Sequence, residues 1–590
     1  MRKFALIIVS IFQSIALAQT VDSPEITKEE IYEHIKYLAS DELEGRFTGT
    51  EQCRIAAEYI AKEFEKAGLL PVFNGSYFQE FPFISEIKTG DNSFEIISKE
   101  KSFLEIQKDY TPLPFSDNLS IEGKLVFAGY GISSKENNYD DYDGIDVKDK
   151  VVIVFRGHPD VNTAHSPFEQ LASLRFKATV ARDKGAAGII FVNTADKKDD
   201  DKLIKLEYDG AAKIKGVSIL QIKRDVLQKL FSDKNLDIDI LEKQISENKK
   251  PNSFELDKSA RIKTEVIEVE SISWNVGAML KGNDPKLSDE YLVIGAHFDH
   301  LGWGKQNSLY QGEPMIHNGA DDNASGTTGL LELAEKFGSE KNNLKRSVVF
   351  FAFSGEELGL LGSNYLVNNF PLPIEKVVSM INMDMIGRLK DSSLIVYGTG
   401  TSSNWKKLLN DKNSFGFKLT FNDEGFGPSD HSSFYGKKIP VLFFFTGTHS
   451  DYHKPSDDYD KINSEGQEKV LKYIYFVATD IINADIKPDY LAVERKDSGR
   501  ITTSKVWVGT IPDFAGDVDG YKLGGVTEGS PAALAGLQAG DIITKFGDKK
   551  ISNIYDFTYA IGNYKPGDKV KVVVKRAEKE LEVEIELKSR

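Results

Sequence analysis

Residues 291–300 read YLVIGAHFDH, a short apolar run that ends in His297, Asp299 and His300. Such a run has the length and branching of a buried strand. The same pattern recurs downstream. SVVFFAF (347–353) runs into Ser354, Gly355, Glu356 and Glu357, and VVSMINM (377–383) runs into Asp384. VLFFFTG (441–447) is followed by a loop with His449 and His453. Between the first two runs, the Gly-rich stretch GADDNASG (319–326) carries Asp321 and Asp322. In an open α/β sheet, sites form outside the carboxyl ends of the strands. These groups can therefore converge on one point, and their types and number suit zinc.

Working outward, residues 266–483 alternate strand-like and helix-like segments in the βαβ manner, which implies a mostly parallel mixed sheet flanked by helices. Ahead of it, Ile26 to Lys66 reads helical, with Ala56, Tyr59, Ile60 and Ala67 at helical spacing, and Gly68 and Pro71 stop the pattern. SDELEGRFTGTEQ (40–52) reads as a polar loop. From about Leu119 short β-rich runs take over: KLVFAGYGI, KVVIVFRG, AGIIFVN and GVSILQI, with one helix-like stretch, FEQLASLRFKATVARDKG. These define an inserted β-rich domain over 115–262. Its acidic loop NNYDDYDGID lacks the Glu that closes an EF-hand loop and reads as solvated. The last segment, about 490–590, is separate, with many short strands. Its charged tail KRAEKELEVEIELK alternates with period two and is expected to form a strand.

The chain of 590 residues has 74 basic against 90 acidic side chains. Arg2 and Lys3 precede an apolar stretch, and Ala16-Leu17-Ala18 fits a small-residue cleavage site, so residues 1–18 read as a secretory signal peptide. The expected product is an exported, periplasmic or extracellular protein with no membrane span after signal removal. Without Arg2 and Lys3 the balance is 72 against 90, a net −18. Such a surface disfavours nucleic acid, which is bound through Lys and Arg on phosphates. Cys53 is the sole cysteine, so no intrachain disulfide forms, and nothing beside it in sequence would activate its thiol.

Amide hydrolysis at neutral pH needs a nucleophile, an electrophile for the carbonyl oxygen and a proton carrier for the leaving amine. Two metals roughly 3.5–4 Å apart supply the first two. His297 and Asp384 can hold one, Glu357 and His453 the other, with Asp322 between them. Three carboxylates against two divalent ions leave one positive charge, which a bridging hydroxide cancels. Adjacent side chains diverge, which leaves Glu356 free as general base. Asp299 is placed to orient the His297 imidazole. The signatures HExxH and GxSxG and the Walker A loop are absent.

The stretches GAHFDH, NGADDNASG, SGEELGLLGS, NMDMIGR and DYHKPSDDYDKI resemble those of the co-catalytic dizinc aminopeptidases, relatives of glutamate carboxypeptidase and glutaminyl cyclase. The resemblance covers roughly 26–115 and 263–485. It implies a zinc-exopeptidase fold over 19–114 and 263–485, and two zinc ions held by His297, Asp322, Glu357, Asp384 and His453, with Asp322 bridging. It also implies Glu356 as base and Tyr452 as a group that polarises the substrate carbonyl. Asp321 is not a ligand in this alignment, His300 stands where many relatives have Ser, and Asp430 and His431 in GPSDHSSF form a supporting element. Residues 115–262 resemble a protease-associated domain. The stretch GGVTEGSPAALAGLQAGDIITKFGDKKI resembles a PDZ domain, with Val508-Gly509-Thr510-Ile511 as candidate peptide-carboxylate loop and peptides or proteins as partners. The implied activity is removal of N-terminal residues from peptides. Alternatives within the family are a carboxypeptidase, a dipeptidase or a single-zinc glutaminyl cyclase. Outside catalysis the alternative is a retired peptide-binding protein. Arg388 is a candidate for a substrate carboxylate, or for an internal salt bridge.

Overall fold

The computed structural model describes residues 25–493 and 506–589, except 100, 161–165, 196–200, 209–212, 341–342, 513–519, 527–528, 552–556, 558–559, 562–563 and 578. The expected signal segment lies outside the described residues.

The strands Ser347–Phe353, Tyr291–His297, Val377–Met383 and Val441–Phe445 lie side by side in that order, all parallel, at the centre of a nine-stranded mixed sheet. Every residue of these four strands is buried, as expected of parallel strands covered on both faces. Leu292, Ile294, Val348 and Phe350 pack on one side with the helices Glu51–Lys66, Gly326–Ser339 and Ser464–Asn483. Val293, Val349, Phe351 and Met380 pack on the other with Phe434. Burying each such side chain contributes about 1.5–3 kcal/mol. Antiparallel partners close the sheet: Val266–Leu280 beside Ser347–Phe353, and Ser393–Tyr397 beside Val441–Phe445.

The helical reading of Ile26–Lys66 resolves into two helices, Lys28–Leu38 and Glu51–Lys66, each started by a threonine. Thr27 Oγ1 accepts from the Glu30 amide and Thr50 Oγ1 from the Cys53 amide. Between them Asp41–Arg46 makes a tight turn in which Glu44, Gly45 and Arg46 have positive φ.

A second, eight-stranded sheet contains the expected β-rich runs Leu119–Ala128, Val151–Phe155, Gly188–Val192 and Ser218–Ile222. It also contains Ser93–Ile97, Ser102–Leu104 and Tyr110–Pro112. Backbone hydrogen bonding thus draws residues 93–112 into the inserted unit, ahead of the expected boundary at 115. A third sheet holds Thr510–Pro512, Tyr521–Val526, Ile542–Phe546, Lys549–Lys550, Lys569–Arg576 and Lys579–Glu586. The charged tail is not one strand. It turns at Ala577, which has φ 53°, so Lys575 and Arg576 belong to the preceding strand of a hairpin. Among the described residues, no helix is long and apolar enough to cross a membrane.

Candidate active site

The four parallel strands all exit on one side of the sheet, and each exit delivers a titratable group. His297 is the last residue of its strand, and Asp384 directly follows Met383. Glu356 and Glu357 come after the turn at Gly355, which has φ 75°. The loop after Phe445 returns His453, itself in the left-handed region at φ 53°, a conformation a non-glycine residue holds only when its surroundings fix it. Asp322 sits in the segment Ala320–Ser325 that leads into the helix Gly326–Ser339.

These groups meet. His297 Nε2 lies 3.4 Å from Asp322 Oδ1 and 3.4 Å from Asp384 Oδ1. His453 Nε2 lies 3.2 Å from Asp322 Oδ2 and 3.2 Å from Glu357 Oε2. Asp322 thus turns one carboxylate oxygen to each imidazole. The other ring nitrogens are committed: His297 Nδ1 to the Asp299 carbonyl at 3.2 Å, and His453 Nδ1 to the Asn307 carbonyl at 2.9 Å. A nitrogen facing a carbonyl carries the proton, which points the Nε2 lone pair at carboxylates. His297 Nε2 and Asp384 Oδ1 are both buried without a hydrogen-bond partner. Lone pairs aimed at one another out of water are relieved by a proton or a metal cation between them. The donor set, nitrogen and carboxylate oxygen around two adjacent points, therefore fits zinc.

The electrostatics make the same demand. Burial would lower His297, yet the carboxylates of Asp384 and Glu356 raise it well above its ordinary value. His453 behaves likewise, with burial overcome by Glu357 and Asp322. Burial would raise Asp322, but its contacts with His297 and His453 hold it well below the usual carboxylate range. Glu356 keeps part of its surface open to the cavity. Loss of water still pushes its carboxyl well above the ordinary range, against His297 and with the help of the adjacent Glu357 charge. Loss of water raises Asp384 as well, against His297.

A cavity opens beside these groups. Asp322, Glu356, Glu357, Asp384 and His453 form its polar side, and Met385, Pro428, Phe443, Phe445, Thr448 and Tyr452 the rest. Tyr452 stacks on His453 with ring centroids 3.9 Å apart. Asp299 anchors the site through three contacts. Its Oδ2 accepts from Thr48 at 2.8 Å and its Oδ1 from the Glu356 amide at 3.2 Å. Its Oδ1 stands 3.7 Å from His297 Nδ1, too long for a hydrogen bond, so the hydrogen bond to that imidazole comes from the Asp299 carbonyl.

Other candidates sit apart. Asp321 accepts from the Gly387 amide at 2.7 Å and contacts His449 Nε2 at 3.1 Å. Arg388 pairs with Asp451 at 2.7 Å, the internal salt bridge. Asp430 and His431 are fully buried, and His431 stacks on Phe443. Cys53 is buried beside Ser354, and burial pushes its thiol up to about 11.

Three supporting residues escape sequence reading. Asp457 Oδ2 accepts from the Asp321 and Asp322 amides at 3.0 Å each. Arg46, fully buried, donates to the carbonyls of Leu38, Phe298, Asn318 and Gly319. Asn307 Nδ2 donates to the Glu357 carbonyl at 2.7 Å. The sole signal was an arginine, an aspartate and an asparagine lodged in polar stretches between the apolar runs.

Parallel strands that deliver imidazoles and carboxylates to one centre beside a small cavity define a zinc-exopeptidase type of α/β domain. Residues 275–478 match peptidase family M28, residues 121–230 the PA domain and residues 513–587 the PDZ domain. The chain therefore carries an M28 peptidase domain accompanied by PA and PDZ domains. It is 30% identical to "Leucine aminopeptidase 2" of Trichophyton rubrum over 185 residues, 30% of this chain and 34% of that protein. It is 29% identical to "Aminopeptidase YwaD" of Bacillus subtilis (strain 168) over 189 residues, 30% of this chain and 41% of that protein. The chain spans about a third of the length of the first curated relatives it matches. Among solved structures, an aminopeptidase from Aneurinibacillus sp. strain AM-1 aligns over 80% of this chain and 97% of its own, with 23% identity and a TM-score of 0.46.

Proposed function

We propose that this chain is an exported dizinc aminopeptidase that removes single residues from the N-termini of peptides. His297 and Asp384 would hold one zinc and Glu357 and His453 the other, with Asp322 shared between the two. The observation that carries the reading is Asp322, whose two oxygens face two imidazoles at 3.4 and 3.2 Å, each with its far nitrogen tied to a carbonyl. When bound, the metal pair supplies Lewis acidity toward water and toward the scissile carbonyl.

The remaining steps belong to the protein. Glu356 takes the proton of the attacking water at its carboxylate and returns it to the leaving amine. Asp299 holds the Glu356 backbone through its amide. Tyr452, on the cavity wall, offers its hydroxyl to the carbonyl oxygen as charge builds there. The residues lining the cavity include four carboxylates and no lysine or arginine. With Asp322, Glu357 and Asp384 spent on the metals, Glu356 is the lining carboxylate left to meet a free N-terminal ammonium, and a C-terminal carboxylate finds no lysine or arginine among these lining residues, which favours an aminopeptidase over a carboxypeptidase or dipeptidase. Met385, Pro428, Phe443 and Phe445 favour an apolar first residue. We also propose domain limits near 90 and 265 for the PA unit, in line with the strands it pairs, and a peptide-binding role for the PDZ unit at Val508–Ile511.

The test is hydrolysis of aminoacyl-nitroanilides by zinc-loaded protein, with N-acetylated copies and chelator controls. Cleavage of only the free-amine substrates, abolished by chelator, is expected, fastest with leucine-type residues. Cleavage of blocked substrates, or none by protein carrying two zincs, would overturn the aminopeptidase reading. A stoichiometry of one zinc with cyclisation of N-terminal glutamine would replace it with the cyclase.

A further inference from the structure

His300 is fully buried, and its surroundings fix its ring. Its backbone pairs with Phe47 in a parallel bridge. Gly319, at φ 57°, lies against the imidazole so closely that a Cβ there would come within 2.4 Å of His300 Cδ2. Glycine at 319 therefore leaves room for the ring of His300. Its Nδ1 lies 2.6 Å from Glu357 Oε1, and its Nε2 is buried without a hydrogen-bond partner. The Nδ1–H therefore donates to Glu357.

The two oxygens of Glu357 thus have different neighbours. Oε1 accepts from His300, while Oε2 faces His453 Nε2 at 3.2 Å. A glutamate carboxylate otherwise rotates broadly about its last torsion. A fixed donor on one oxygen stops that rotation and presents the other oxygen alone. It also separates Glu357 from Glu356, its neighbour in sequence, which has no such donor and keeps its freedom to move a proton.

Resting on the dizinc reading above, we infer that His300 is a positioning residue for the second metal: it sets Glu357 as a one-oxygen ligand and so raises zinc affinity at the Glu357–His453 side. Hydrogen bonds of this kind to a ligating group are worth about 10–100-fold in metal affinity.

The test is zinc competition titration against a chromophoric chelator, using the full-length protein stripped of metal. His300→Phe keeps a ring and removes the donor. His300→Asn places an amide N–H near the Nδ1 position, whereas His300→Gln carries its amide further out. Wild type is expected to bind two zincs. His300→Phe is expected to weaken one site by about 10–100-fold and leave the other within about twofold. His300→Asn should recover most of that loss, and His300→Gln should not. Two unchanged constants in His300→Phe, or equal constants in the Asn and Gln variants, would overturn the role of His300 alone. Fewer than two zincs in wild type would overturn the dizinc reading and the inference with it. If His300→Phe does not fold, as judged by circular dichroism, the Asn–Gln comparison decides.

Discussion

The two large sheets of this protein are built alike and end differently. Each has adjacent parallel strands whose residues are all buried: Tyr291–His297 and its neighbours in one, Val151–Phe155, Gly188–Val192 and Ser218–Ile222 in the other. In the second sheet the polar groups at the strand ends satisfy one another. Lys177 donates to the Phe155 and Gly157 carbonyls at 2.9 and 2.5 Å. Arg224 pairs with Glu242 and Asp239, and Asp141 accepts from the Tyr130 and Ile132 amides and the Tyr139 hydroxyl. In the first sheet, His297 Nε2 and Asp384 Oδ1 are buried with nothing to bond. A buried polar group without a partner is costly. A closed network thus reads as structure, whereas an open one reads as a place for a ligand.

The contrast is broken most strongly at Glu356. Glu356→Gln keeps the shape of the side chain and removes its proton chemistry. It is expected to lower kcat by about 10²–10⁴-fold and to leave zinc content unchanged. Turnover and metal analysis on the same preparation check both. A kcat within twofold of wild type would show that the open network binds metal but that Glu356 is not its base.

Much of the first sheet could be read directly because several of the titratable groups that meet at the candidate site stand at the end of an apolar run, where strand period and chemistry coincide. His297, Glu356, Glu357 and Asp384 are legible for that reason. Arg46 and Asp457 are not, because they act on backbone atoms far along the chain: Arg46 on Phe298, Asn318 and Gly319, Asp457 on the amides of 321 and 322. No local period encodes such a contact. The short strands Ser93–Ile97 and Tyr110–Pro112 were hidden for a similar reason, since their membership is decided by pairing with Arg261 and Gln221, over 100 residues away. The turn at Ala577 has no glycine or asparagine to announce it, and the alternation runs on through it.

Asp457 sharpens the comparison, because it is half closed: Oδ2 accepts from two amides, whereas Oδ1 is buried without a hydrogen-bond partner. Asp457→Ala leaves the two amides it accepts from unmet, and the Asp322 loop loses its anchor. Zinc affinity is expected to fall by about 10–100-fold, while Asp457→Asn, which still offers an oxygen to both amides, falls less. Competition titration of the two variants gives the order. Equal affinities in Asp457→Ala and wild type would mean that Arg46 alone fixes the loop.

The smallest effect lies in the second sheet and depends on pH. Burial pulls the Lys177 ammonium down to about 7, against the pull of Asp141, and burial pushes Asp141 up to about 7, against its hydrogen bonds and Lys177. For Asp141 the folded chain holds more protons than the unfolded chain between about pH 4 and 7, so stability falls as pH rises through that window. For Lys177 the unfolded chain holds more protons between about 7 and 10.5, so stability rises there, by at most about 1.4 kcal/mol per pH unit. The two limbs meet in a minimum near neutral pH. Lys177→Met removes the upper limb. Hydrogen exchange of the Val151–Phe155 amides, corrected for the intrinsic effect of pH, is expected to slow from pH 7 to 9 in wild type and to stay level in the variant. An equal slowing in both would assign the titration to another group. Adding zinc should protect the strand Tyr291–His297 and leave this profile unmoved, because a network already closed has no open acceptor for a cation to fill.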